Sequence, residues 1–149
     1  MSTKRIQKEW MELIKSPIPG ITVGPIAEDD LLRWKGTLTG TNDSPYKGGN
    51  FGLSIEFDES YPFKAPKVKF TTRIYHCNIS AEGEICMDLL KNDQWKPSTR
   101  LSHVLVAIQY LLDHPNPDDP LDADAAELYR NDLKKYLKNA KDTTKQYAR

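Results

Sequence analysis

Phe51-Gly52-Leu53-Ser54-Ile55-Glu56-Phe57 is the segment on which the fold reading turns. Large apolar residues fill every second position, with small or polar residues between them, which is the period of a strand with one face in a core. The same period runs upstream, where Leu32, Trp34, Gly36 and Leu38 alternate with polar neighbours, and downstream to Val68 and Phe70. Turn-forming clusters at Glu28-Asp29-Asp30, at residues 40–50 and at residues 58–66 separate these runs. Connections this short predict an antiparallel meander of four strands between Ile21 and Phe70.

On either side of the meander the period is helical. Ile6, Trp10, Leu13 and Ile14 form an amphipathic stripe, which Ser16-Pro17-Ile18-Pro19-Gly20 ends because proline has no amide for a further turn. Leu101, Val104, Leu105, Ile108, Leu111 and Leu112 are spaced for a central, mostly buried helix that stops at the proline-rich residues 115–120. Two more helices are expected, one opened by Asp122 as N-cap and one carrying Leu133, Tyr136, Leu137 and Ala140. Between Phe70 and Leu101 lie 30 residues with little periodicity, a length tolerated in a compact domain mainly when the loop is functional. The expected architecture is α+β: one sheet with helices packed on it, residues 1–149 forming a single domain.

Composition narrows the setting. Lysine plus arginine and aspartate plus glutamate each number 21, so no net field recruits nucleic acid or a membrane. No apolar run approaches a transmembrane length, and the N-terminal residues are too polar for a secretory signal. Two cysteines make neither a disulfide framework nor a zinc cluster, so no metal site is expected. The expected setting is intracellular and reducing.

One of those cysteines, Cys86, lies in His76-Cys77-Asn78-Ile79-Ser80-Ala81-Glu82-Gly83-Glu84-Ile85-Cys86-Met87-Asp88. Tyr61-Pro62-Phe63-Lys64-Ala65-Pro66 precedes this stretch and Trp95-Lys96-Pro97 follows it. A thiol flanked by an amide and a carboxylate, on a glycine-containing loop, suits acyl-group handling. In these segments the chain resembles the ubiquitin-conjugating (E2) enzymes, and the likeness runs from the N-terminal helix to the C-terminus. Tyr61, Pro62, Pro66, His76, Asn78, Cys86 and Trp95 match the family's order. Cys77 stands where the family has proline, and the interval from Cys86 to Trp95 is one residue longer, with Asn92 or Asp93 as the insertion.

The resemblance implies the E2 (UBC) fold and a cycle in which Cys86 accepts ubiquitin from an activating enzyme and passes it to a lysine. Only three histidines are present, His76, His103 and His114, and none is flanked as in a Cys-His-Asp hydrolase. A hydrolase needs a base to attack an unactivated amide. A carrier needs none, because the acyl group arrives already held as a thioester and is exchanged between similar thiols. By resemblance, Asn78 supports the loop, stabilises the oxyanion, or does both, and His76 braces the loop. Asp88 and Asp119 orient the incoming amine and help it lose its proton. Tyr61 and Trp95 read as packing residues.

The same likeness implies partner surfaces. Phe63, Pro97 and Ser98, with Lys4, Arg5 and Lys8 beside them, match the face gripped by RING- and U-box-type ligases and by the activating enzyme. Lys96-Pro97-Ser98 stands where relatives commonly read Ser-Pro-Ala, so that Lys96 adds a charge at its rim. Val106 and Tyr110 match the helix face that holds thioester-linked ubiquitin closed, with Tyr110 bulkier than the family pattern. Thr22 matches the sheet face that takes a second, non-covalent ubiquitin. No cofactor is expected, since ATP is used by the activating enzyme, and the expected location is cytoplasmic or nuclear. The length and the Asp118-Asp119 region most resemble the broad-specificity enzymes that cooperate with many RING ligases. The rivals are an enzyme for a ubiquitin-like modifier, a non-catalytic E2-like binding module and, last, a cysteine hydrolase.

Overall fold

The computed structural model describes residues 2–91 and 93–149 and has the α+β architecture expected from the sequence. Helix α1 (Ser2–Lys15) is followed by β1 (Ile21–Ala27), β2 (Asp30–Thr39), β3 (Asn50–Glu56) and β4 (Lys67–Phe70), then by α2 (Leu101–Asp113), α3 (Ala123–Asn131) and α4 (Leu133–Tyr147). The strands pair antiparallel in the order β1-β2-β3-β4, the meander that the alternation predicts. In the β2–β3 register Trp34 stands opposite Ile55 and Leu38 opposite Phe51. These four are buried with Leu53, and α2 contributes Leu101, Val104, Leu105 and Ile108 to the same core. Each large side chain so buried is stabilised by about 1.5–3 kcal/mol relative to exposure.

Two helical stripes are narrower than their periodicity suggests. Ile14 is 59% exposed, while Glu9 is buried on the face it shares with Ile6 and Leu13. In α4 the buried seam is Tyr136, Ala140 and Thr144, spaced by four, and Leu133 and Leu137 fall beside it into solvent. Asp122 caps α3 as expected, its Oδ1 accepting from the Ala125 amide at 3.0 Å.

The stretch from Phe70 to Leu101 has little regular structure but is pinned along its length. The Phe70 amide donates to Gly83 O at 2.9 Å, and isolated bridges join Lys69 to Glu84 and Ile79 to Ile85. Gly83 has φ +89° and packs so closely on the end of β4 that a Cβ would lie 1.9 Å from Phe70 O, which restricts the position to glycine. A 3-10 turn, Asp88–Leu90, follows the thiol.

Helix α2 is held at both ends by side chains from elsewhere in the chain. Glu9 Oε1 accepts from the Leu101 amide at 2.6 Å, satisfying a free N–H and placing negative charge at the helix N-terminus. At the other end the His76 ring lies against Leu111 O, with Nε2 at 2.8 Å.

Candidate active site

His76 and Asn78 are both buried, two residues apart on the loop that leads to the thiol. The Asn78 amide N–H donates to His76 Nδ1 at 3.0 Å, which makes Nδ1 an acceptor and leaves Nε2–H to donate to Leu111 O. Burial pulls the His76 pKa down to about 4, so the ring is neutral at physiological pH and serves as a clamp between the loop and α2.

The Asn78 side chain is fully committed. Its Nδ2 donates to Asn116 O at 2.7 Å and to Asp119 O at 3.0 Å, and its Oδ1 accepts from the Asn116 amide at 2.8 Å. Both amide hydrogens are therefore taken by backbone carbonyls of residues 116–119. In this conformation the side chain ties the thiol loop to that segment and has no free N–H for an oxyanion. Asn78 O in turn accepts from the Cys86 amide at 2.8 Å, so the brace reaches the Cys86 backbone directly.

Cys86 is partly exposed, and its Sγ donates to Asp119 Oδ2 at 3.2 Å. Burial first, and the adjacent Asp119 carboxylate second, push the thiol pKa up from its ordinary value. The thiol is therefore not pre-ionised. Lys91 reaches across the same spot, with Nζ 2.7 Å from Asp119 Oδ2 and 3.1 Å from Asp88 Oδ1. Its ammonium, more than the thiol, holds the Asp119 carboxyl below the usual range, and the two carboxylates raise Lys91 in return. Asp88 and Asp119 thus converge on Lys91 beside the thiol, the two positions that the family resemblance pairs. Lys91 between them was not anticipated, because nothing short of the turn at residues 88–90 and the return of the chain at residue 119 brings the three together.

Cys86 opens into an apolar groove of about 630 Å³ that Met87, Leu89, Val106, Ala107, Tyr110 and Leu111 help to line. Val106 and Tyr110 project from α2 at 50% and 63% exposure, and Tyr110 stacks on His114 with ring centroids 4.0 Å apart. His103 and His114 also line the groove, yet their Nδ1 atoms face the Arg100 amide and Tyr110 O. Among the described residues the thiol's hydrogen bond goes to a carboxylate and not to an imidazole.

The other predicted surfaces lie apart from this groove. Phe63 is 74% exposed, and Lys96, Pro97 and Ser98 are also exposed. Trp95 Nε1 donates to Pro62 O at 2.7 Å, joining their two loops. Tyr61 and Trp95 are buried packing residues, as read from the sequence. Lys4 and Lys8 are exposed on α1, whereas the Arg5 guanidinium turns inward to Glu9 Oε2 at 2.9 Å and Thr99 O at 3.1 Å. Thr22 faces outward on β1, opposite Thr37. Asp93 is exposed in a turn, and Asn92 lies outside the described residues.

Cys77 is enclosed with Ala125, Ala126 and Tyr136, and burial raises its pKa to about 11. Its amide donates to Tyr136 Oη at 3.4 Å, and its carbonyl accepts from the Leu121 and Asp122 amides. Both cysteines are free thiols.

The fold and the thiol's surroundings define a class: a small α+β unit of a meander sheet and packed helices, presenting one accessible cysteine at an apolar groove. The sequence model of the family described as ubiquitin-conjugating enzyme matches residues 5–144, and the chain belongs to that family. Ubiquitin, an activating enzyme and ligases are accordingly its general kinds of partner.

Proposed function

We propose that Cys86 takes ubiquitin as a thioester from an activating enzyme and passes it to a substrate lysine with a ligase's help, or to a ligase cysteine. The observation that carries this reading is the accessible, un-ionised Cys86 thiol whose side-chain partner is the Asp119 carboxylate, on a loop braced by Asn78. Such a thiol is poorly equipped to open an amide alone but suited to exchange with another thioester. In the transfer step a neutral amine attacks the thioester carbonyl carbon. The tetrahedral intermediate then expels the Cys86 thiolate, an amide bond replaces the thioester, and the proton lost by nitrogen restores the thiol. Asp119 and Asp88 orient the lysine ammonium, and Asp119 takes the proton that leaves it before the neutral nitrogen attacks.

Phe63, Lys96, Pro97 and Ser98, with Lys4 and Lys8, form the ligase and activating-enzyme face, and Arg5 holds its loops together. Val106 and Tyr110 hold the linked ubiquitin along the groove, and Thr22 marks a face for a second ubiquitin. The protein is of the broad-specificity, RING-cooperating kind, acts in the cytoplasm or nucleus as one domain over residues 1–149, and binds no cofactor of its own.

Intact-mass measurement after incubation with activating enzyme, ATP and either ubiquitin or a ubiquitin-like modifier tests this. The expected result is one ubiquitin adduct lost on treatment with a reducing thiol. Cys86→Ser should instead give a thiol-resistant oxyester, because an alkoxide leaves far less readily than a thiolate. A reducible adduct on Cys86→Ser would move the site elsewhere. An adduct formed only with another modifier would change the substrate, and no adduct at all would favour a binding module.

A further inference from the structure

We propose that Lys91 is a specificity-determining residue that occupies the acceptor-amine position beside Cys86, so that only an amine able to displace it reaches the thioester. The inference rests on the reading of Cys86 as the carrier thiol. Lys91 carries the same primary ammonium as a substrate lysine, and it lies between the two carboxylates assigned to receive that substrate, 2.7 Å from Asp119 Oδ2 and 3.1 Å from Asp88 Oδ1. The oxygen it holds on Asp119 is the one that accepts the Cys86 thiol at 3.2 Å.

Charging the thiol changes this arrangement in a defined way. Once sulfur is acylated it has no proton to donate, and Asp119 Oδ2 keeps Lys91 as its remaining described partner. An incoming lysine must then compete for that oxygen. Lys91 is 44% exposed and bound through surface ion pairs, which are individually weak and readily exchanged. Asp119 and Asp88 also hold it as an ammonium, which has no lone pair with which to attack the neighbouring thioester. It is a place-holder and not a nucleophile. A free amine meets this competition in full. A lysine delivered on a docked substrate has a high effective concentration and overcomes it. The result is discrimination against adventitious amines at a site that is otherwise open.

Single-turnover discharge of preformed thioester onto free L-lysine, followed over a range of lysine concentrations, tests the inference. Lys91→Gln is expected to lower the half-saturating lysine concentration about two- to fivefold, the range spanned by an exposed ion pair, with less effect on the maximal rate. Lys91→Arg keeps the charge and the reach and should restore the wild-type half-saturation. An unchanged half-saturation in Lys91→Gln, or the same change in Lys91→Arg, overturns the proposal. So does a thiol-resistant ubiquitin adduct mapping to Lys91, which would make it an acceptor. If wild-type Cys86 takes no thioester, the reading beneath fails first. If charging is normal and Lys91 has no effect on half-saturation, the inference alone fails.

Discussion

Glu9 and Asp119 have nearly the same set of partners in opposite surroundings. Each carboxylate holds a cation and a side-chain hydrogen donor: Arg5 and the Tyr61 hydroxyl for Glu9, Lys91 and the Cys86 thiol for Asp119. Glu9 is 5% exposed at its side chain and also takes the Leu101 amide, whereas Asp119 is 46% exposed. Burial decides what the shared chemistry is for. In the dry site every partner is fixed, because losing one leaves a buried polar group unsatisfied. In the wet site each partner can be exchanged for water or, on the proposed function, for a substrate amine at little cost. The first is a joint between α1, the Tyr61 loop and α2, and the second is a place where bonds can turn over.

The comparison breaks most readily at Glu9. Glu9→Ala should destabilise the protein by about 4 kcal/mol, since it strands the Tyr61 hydroxyl, the Leu101 amide and the Arg5 charge. Chemical denaturation should show this, and a loss comparable to that of a surface substitution would remove the distinction. The next effect in size is a pH dependence at His76. Its folded pKa of about 4 lies below the unfolded value of 6.5, so the unfolded chain takes up the proton first as pH falls. The stabilisation is therefore complete above pH 6.5 and is lost towards pH 4, by about 3 kcal/mol in total. Melting curves across that window should flatten in His76→Gln.

Asn78→Ala sharpens the contrast by asking whether a buried brace serves the wet site through structure alone. It should cost about 2 kcal/mol and slow discharge in parallel, because residues 116–119 lose their anchor. Slower discharge with an unchanged melting temperature would instead assign the amide to the oxyanion. The smallest effect is expected at Cys77. Cys77→Ser should leave charging intact, and Cys77→Pro should shift stability by less than about 1 kcal/mol, the stiffer backbone offsetting the lost 3.4 Å bond to Tyr136. Loss of charging in either folded variant would bring Cys77 into the mechanism.

How much of this was legible in the sequence follows from the range of each interaction. Phe51 to Phe57 announced their strand because side-chain period is a local property. Asp122 did the same as an N-cap, bonding three residues ahead. The order of the loop between Phe70 and Leu101 was not legible, since its bonds join Asn78 to Asn116 and Phe70 to Gly83 and leave no period. Glu9 carries no local signal, because its decisive partner lies 92 residues away. Cys86, Asn78, Asp88 and Asp119 came from a resemblance, and the structure brings them to one place. Lys91 belonged to no recognised pattern and needed coordinates. The resemblance put Arg5 on a surface expected to face ligases, but its inward bond to Glu9 could not be read beforehand.

The most direct test of the central claim, that Asp119 acts on the attacking amine while Glu9 only holds the fold, is discharge of preformed thioester onto free lysine between pH 7 and 10. The proteins compared are wild type and Asp119→Ala. Charging and melting temperature should be the same in both. Discharge of the variant should be slower on the order of tenfold or more near pH 7, and the gap should close towards pH 9–10 as lysine loses its proton unaided. A defect equal at every pH, or one already present in charging, would contradict the account and reduce Asp119 to another structural carboxylate.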